Sequence, residues 1–121
     1  MLRIRPAAPD DIPLIRQLIR ELAEYEKAPE QAVATDRDLR RDGFSGNPKF
    51  RVLIAEWAGK PAGFALFFYN YSTWLGRAGL YLEDLFVRPA FRGKGIGKAL
   101  LARLAQNCRR RRLRTLRVAG A

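Results

Sequence analysis

Histidine is absent from this 121-residue chain, and cysteine occurs once, at Cys108. Those two scarcities remove whole classes of chemistry. Without histidine, the familiar zinc patterns and the Ser-His and Cys-His nucleophile pairs have neither ligand nor base. A single cysteine forms no disulfide within the chain. Any catalysis therefore falls to carboxylates, tyrosines, lysines or backbone groups, and no metal site is expected. Long apolar runs are missing as well: nothing approaches the roughly 20 residues of a membrane span. The N-terminus, with Arg3, Arg5 and Pro6, lacks the apolar stretch of a secretion signal. The expected location is the cytoplasm, with no membrane partner. Acidic residues are also few, 12 against 23 Lys and Arg, which leaves a net charge of +11. The excess is concentrated in Arg109, Arg110, Arg111, Arg112, Arg114 and Arg117, within a final 13 residues that contain no acid. Such a run reads as a solvated tail or strand flank, with non-specific attraction for phosphate as the alternative.

What is present suffices for one modest core. Hydrophobic residues make up 48% of the chain and charged residues 29%, the balance of a globular domain. Leu2 and Ile4 alternate with Arg3 and Arg5 before Pro6, the pattern of a short strand with one buried face. The period then changes. Asp10 or Asp11 is placed to cap a helix with Pro13 in its first turn, and Ile15, Leu18, Ile19, Leu22 and Tyr25 make one apolar stripe that ends before Pro29. A second, more polar helix is expected to start near Thr35 or Asp36 and run to Gly43. Val52 to Trp57 and Gly63 to Tyr69 read as an antiparallel hairpin joined through Ala58-Gly59-Lys60-Pro61. The spacing then predicts a loop over 70–79, a strand over 80–87, a connection over 88–95 and a helix over 96–106, giving the order βααβββα. Beyond Gln106 the pattern degrades, with Leu113, Leu116 and Val118 as candidates for one last strand. There is no internal repeat and no linker, so residues 1–121 are expected to be one domain.

The segment Arg92-Gly93-Lys94-Gly95-Ile96-Gly97 sits between a hydrophobic strand and an amphipathic helix. Unsatisfied N–H groups and the helix dipole there face outward together, a setting that suits an anion. Glycine removes Cβ atoms that would hold a phosphate away from the backbone, and Arg92, Lys94 and Lys98 add positive field. The segment is not a Walker loop, because Ala99 follows Lys98 where Ser or Thr belongs, and it lacks dinucleotide-fold spacing.

This Arg-x-x-Gly-x-Gly pattern, following Tyr81-Leu82-Glu83-Asp84-Leu85-Phe86-Val87-Arg88-Pro89, resembles the coenzyme A pyrophosphate loop of the GNAT N-acetyltransferases. Leu18 to Lys27, Asp42-Gly43-Phe44 and Tyr71-Ser72-Thr73-Trp74 are similar to the diamine acetyltransferase branch, so the resemblance covers roughly residues 2–107. Where polyamine enzymes of that branch carry Asp-Pro-Trp, this chain has Ser72-Thr73-Trp74, which resembles the thialysine acetyltransferase subgroup instead. The resemblance implies an α/β (α+β) fold with a mixed, mainly antiparallel sheet and flanking helices. It also implies acetyl-CoA as cosubstrate and a small primary amine, thialysine- or lysine-like or a diamine, as acceptor.

An alkylamine has a pKa of about 10 and arrives as an ammonium ion, so a carboxylate must bind it and take its proton. Glu83 and Asp84 are the candidates. Neighbours along a regular strand point to opposite faces, so only one would line the pocket, and the resemblance favours Glu83. It also implies main-chain contacts from Leu85, Phe86 and Val87 to the pantetheine arm and contacts from Arg92, Gly93, Lys94, Gly95, Ile96, Gly97 and Lys98 to the pyrophosphate. For the amine it implies Tyr25, Glu26 and Trp74, against which stand a helix-face residue, a solvated acid and a loop anchor. With no cysteine nucleophile near the site, transfer is expected to be direct.

The branch continues with a further strand, helix and strand pair, including a tyrosine acid for the departing thiolate. Arg109 to Ala121 has neither that signature nor that length, so the chain reads as a domain lacking its C-terminal part. An inactive scaffold or a basic nucleic-acid-binding module is the competing reading. Nucleic acid is not the expected partner, and a homodimer is left open.

Overall fold

The computed structural model describes residues 1–119; Gly120 and Ala121, the end of the arginine-rich tail, lie outside the described residues. Its elements are β1 (Leu2–Pro6), α1 (Ile12–Tyr25), α2 (Asp36–Gly43), β2 (Arg51–Trp57), β3 (Lys60–Ser72), β4 (Arg77–Val87), α3 (Ile96–Arg110) and β5 (Thr115–Val118). The strands form one sheet in chain order, antiparallel from β1 to β4, with β5 added parallel to β4.

Alternation in the strands builds a three-layer molecule. Along β2, Val52 and Ile54 face one side and Leu53 and Ala55 the other, all buried. On the first side they meet Ile12, Ile15, Leu18 and Leu22 from α1, Leu39 from α2, and Phe64, Leu66 and Phe86 from the sheet. On the second they meet Ile96, Leu100, Leu104 and Cys108 from α3, with Phe67, Leu80 and Leu82. The helices lie on opposite faces because each carries its apolar residues as one stripe.

Several boundaries have visible causes. Thr35 caps α2 with a reciprocal pair: Asp38 N–H donates to Thr35 Oγ1 at 3.1 Å and Thr35 N–H to Asp38 Oδ2 at 2.9 Å. Asp11 precedes α1, but its carboxylate accepts from Ala8 N–H and the Arg5 guanidinium rather than capping the helix. The turn between β2 and β3 is tighter than the expected four-residue connection. Ala58 (φ 52°) and Gly59 (φ 81°) both take left-handed conformations, and Lys60 and Pro61 already belong to β3.

The expected loop over 70–79 is a correction. Asn70, Tyr71 and Ser72 extend β3, and Arg77, Ala78 and Gly79 begin β4, so the connection shrinks to Thr73–Gly76. Ser72 closes it. Its carbonyl accepts from Gly76 N–H at 2.8 Å and its hydroxyl from Leu75 N–H at 3.2 Å. The last strand is present as β5, and α3 runs four residues past the expected Gln106, to Arg110.

Candidate active site

The ladder between β3 and β4 slips by one residue between Leu66 and Phe67, leaving Glu83 as an extra residue on β4. This bulge changes everything after it. Before it, the Ala78 and Leu82 carbonyls face β5, accepting from Arg114 and Ala119 N–H. After it, Arg88 N–H donates to the Ala62 carbonyl at 2.8 Å on the β3 side. Pairing groups alternate along a strand, so the main-chain groups of Phe86 turn to β3 while those of Leu85 and Val87 turn away. Pairing with β5 ends at Leu82, and among the described residues no strand faces Leu85 and Val87. Half of β4 is thus open along its outer edge. Of the three strand residues expected to offer backbone contacts, Leu85 and Val87 present them there, whereas Phe86 contributes a buried ring on the α1 face.

The open edge runs directly into the glycine loop. Gly93 (φ 82°) and Gly95 (φ 77°) are left-handed, and a Cβ added at either would meet no atom within 4 Å. Glycine here satisfies the backbone and leaves space above it. The first N–H acceptor in α3 is the Gly95 carbonyl, bonded by Ala99 at 3.0 Å. The N–H groups of Ile96, Gly97 and Lys98, ahead of that bond, have no intrahelical acceptor. Ile96 itself is buried and anchors the helix start, while Lys98 is exposed. Arg92 folds back: its Nε donates to the Val87 carbonyl at 3.0 Å and its guanidinium lies 4.5 Å from the Tyr25 ring centroid. Lys94 places its ammonium 5.0 Å from the Trp57 ring.

A small cleft of about 130 Å³ opens where α1 ends against β4, walled by Ile19, Leu22, Ala23, Glu26, Ala28, Gln31, Ala32 and Asp84. Asp84 is half-buried, and its carboxyl is pushed up to about 6, first by burial and then by the charges of Glu83 and Glu26. Glu83 is exposed on the bulge beside it. Strict alternation would send Leu82 and Asp84 to one face, yet Leu82 joins the α3-side core and Asp84 the α1-side cleft. The two neighbours still do not share the cleft: Asp84 lines it, while Glu83, the one that the resemblance favoured, is exposed on the bulge. Tyr25 is not among the residues lining the cleft; it is exposed, with its ring 6.2 Å from that of Phe86. Acidic groups at the negative end of α1 make this a place for a cation.

Trp74 is not brought to the cleft. It is 97% exposed in the β3–β4 turn, and six residues of β4 lie between Arg77 and Asp84, on the order of 20 Å at strand spacing. It borders a separate hollow with Asn70, Tyr71, Ser72, Thr115 and Arg117. One contact had no signal in the sequence. Arg88 grips Glu21 with two hydrogen bonds of 2.9 Å and reaches the Pro61 carbonyl at 3.2 Å, fixing α1 to the end of β4 beside the cleft. Among the described residues no His, Cys, Asp and Glu cluster has the form of a metal site, and no helix is long and apolar enough to cross a membrane.

Residues 14–120 match the model of the acetyltransferase (GNAT) family. The chain is 42% identical over 111 residues to a thialysine N-epsilon-acetyltransferase of Sus scrofa, an alignment that covers 85% of this chain and 65% of the relative. It is 44% identical over 111 residues to the spermidine/spermine N(1)-acetyltransferase-like protein 1 of Homo sapiens, covering 86% of this chain and 16% of that one. In structure it is similar to an aminoglycoside acetyltransferase from an uncultured soil metagenomic sample, with a TM-score of 0.82, 22% identity, and coverage of 99% of this chain and 78% of the other.

Proposed function

Since the chain belongs to the GNAT acetyltransferase family, we propose that it transfers an acetyl group from acetyl-coenzyme A directly to a small primary amine. The observation that carries this reading is the continuity of the open β4 edge with the glycine loop. Leu85 and Val87 offer main-chain groups to the amides of an extended pantetheine arm, and the N–H groups from Gly93 to Lys98 lie where that arm would end in a pyrophosphate. An outward N–H of Leu85 is also suited to stabilise the charge that develops on the thioester oxygen.

On the acceptor side, Glu26, Glu83 and Asp84 hold the ammonium, and the Glu83–Asp84 pair takes its proton. Asp84 lines the cleft and Glu83 stands at its mouth. The raised Asp84 carboxyl narrows the gap to the amine pKa, which lowers the cost of that transfer. A cleft of about 130 Å³ suits a compact amine better than a long polyamine, whose further charges would each need a partner. The thialysine-directed name of a relative 42% identical to this chain supports the same class of acceptor. Cys108 is a poor nucleophile for an acyl-enzyme route: it is buried on α3, and burial pushes its thiol up, against the opposing pull of Arg109.

The test is calorimetric and kinetic. Coenzyme A is expected to bind saturably, and Gly95→Glu, which puts a side chain and a negative charge where phosphate would sit, is expected to weaken it at least about tenfold. With acetyl-coenzyme A, kcat/KM is expected to be higher for thialysine or lysine than for spermine. Binding indifferent to Gly95→Glu would refute the cofactor assignment, and a spermine preference the acceptor.

A further inference from the structure

The loop at the start of α3 is one of two concentrations of positive charge around that helix. The second lies at its other end, about 22 Å away for a helix of 15 residues. Here Arg51 from β2, Tyr69 from β3, and Asn107, Arg110 and Arg111 from the end of α3 wall a concave hollow of about 450 Å³. We propose that this hollow is a second anion site, one that takes a compact oligophosphate.

The arrangement is specific to a point rather than spread over a surface. The Arg111 guanidinium lies 4.3 Å from the Tyr69 ring centroid and that of Arg51 lies 5.6 Å from the same centroid. One half-buried ring therefore orients two cations that lie far apart in the sequence, one on β2 and one after α3. The charges are also uncompensated. Arg5, Arg16, Arg41 and Arg88 each reach a carboxylate, whereas among the described residues no ion pair includes Arg51, Arg110 or Arg111. Cations near a helix C-terminus are favoured by its dipole, which accounts for Arg110 and Arg111. It does not account for Arg51, which arrives from the sheet. Convergence of like charges without a counter-charge raises their mutual repulsion, and a bound anion of charge near −3 or −4 would relieve it. Asn107 adds a neutral donor and acceptor to the lining.

Geometry favours a compact ligand over a nucleic-acid strand. The guanidinium groups of Arg51 and Arg111 converge on one ring instead of following a line at phosphate spacing, and Arg109 and Arg112 are exposed beyond the hollow's walls. An oligophosphate presents several oxygens to forked donors at one place, the geometry in which guanidinium groups bind best.

The experiment titrates the full chain with inorganic tripolyphosphate, following Tyr69 ring and loop amide signals by nuclear magnetic resonance and affinity by calorimetry. Tyr69 signals are expected to shift saturably. Arg51→Gln and Arg111→Gln, both exposed and expected to leave the melting temperature unchanged, are each expected to weaken binding about tenfold. Arg109→Gln is expected to change it less than twofold. The wild-type shift map stands independently of how the variants fold. Three outcomes would overturn the proposal: shifts confined to Gly93–Lys98, equal weakening by Arg109→Gln and Arg111→Gln, or a dependence on Arg51 and Arg111 seen for oligothymidylate but not for tripolyphosphate.

Discussion

Asp84 shows how one side chain is set by its surroundings. Burial, followed by the charges of Glu83 and Glu26, raises its carboxyl to about 6 in the folded chain, above the ordinary 3.8. A raised acid contributes stability that is complete below the unfolded value and lost as pH rises through the folded one. Asp84→Asn is therefore expected to stabilise the protein at pH 7.5 by about 1–2 kcal/mol, a figure reduced for partial solvent screening. The difference should disappear near pH 4, as urea unfolding at the two pH values would reveal. In the same variant, the acidic limb of kcat/KM, expected near pH 6 in the wild type, should flatten, while Glu83→Gln should keep the limb but move it to lower pH, because the Glu83 charge helps to raise Asp84. At this scale the loop glycines were legible in the sequence, because a left-handed φ and an open approach both demand glycine. The choice between Glu83 and Asp84 was not. Alternation is a property of regular strands, and nothing in Leu82-Glu83-Asp84-Leu85 announces an extra residue in the ladder.

Among the elements, the turn from β2 to β3 carries a local cost. Ala58 takes φ 52° beside Gly59 at φ 81°, and a left-handed alanine costs roughly 1–2 kcal/mol. Asn tolerates that conformation, so Ala58→Asn is expected to stabilise the chain by about 0.5–1 kcal/mol, and β-branched Ala58→Val to destabilise it by about 1 kcal/mol or more. Guanidinium melts of the three proteins supply the comparison. The hairpin itself was legible from two apolar runs around Ala58-Gly59, as were α1 and α3 from their apolar stripes and α2 from its Thr35 cap. The reach of β3 and β4 was not, since Asn70, Ser72, Arg77 and Gly79 are poor strand formers that the long ladder carries along. Gly79 even has a structural use: a Cβ there would overlap Thr115 Oγ1 on the neighbouring β5.

Across the whole molecule, the layers are joined by few polar contacts among the described residues, and Arg88 makes one of them. It links Glu21 on α1 to the end of β4, partly shielded from water on both sides. Burial pushes the Glu21 carboxyl up, but its hydrogen bonds from Arg88 and Gln17 outweigh that and hold it below the ordinary range. A lowered acid contributes stability above its unfolded value and loses it as pH falls. Arg88→Gln is accordingly expected to cost about 1–3 kcal/mol at pH 7, and much less near pH 3, by thermal or urea unfolding. It should also raise KM for the amine more than it lowers kcat, because Glu26 directly follows α1. The order of strands and helices was legible from their periods, and the sheet with flanking helices was what the family resemblance implied. The long-range pin and the distance from Trp74 to the cleft were not, because both depend on which ends of the elements meet.

The open half of β4 has a last consequence, for solubility. Unpaired strand edges invite other chains to add to a sheet, and proteins usually blunt them. At β1 this falls to Arg3, Arg5 and Pro6. On β4 the exposed stretch runs only from the bulge at Glu83 to Val87, recessed behind the end of β5 and followed at once by the Arg88–Gly95 turn. A slot that short gives another polypeptide strand too little length to dock, so the edge proposed for the cosubstrate is a poor template for self-association.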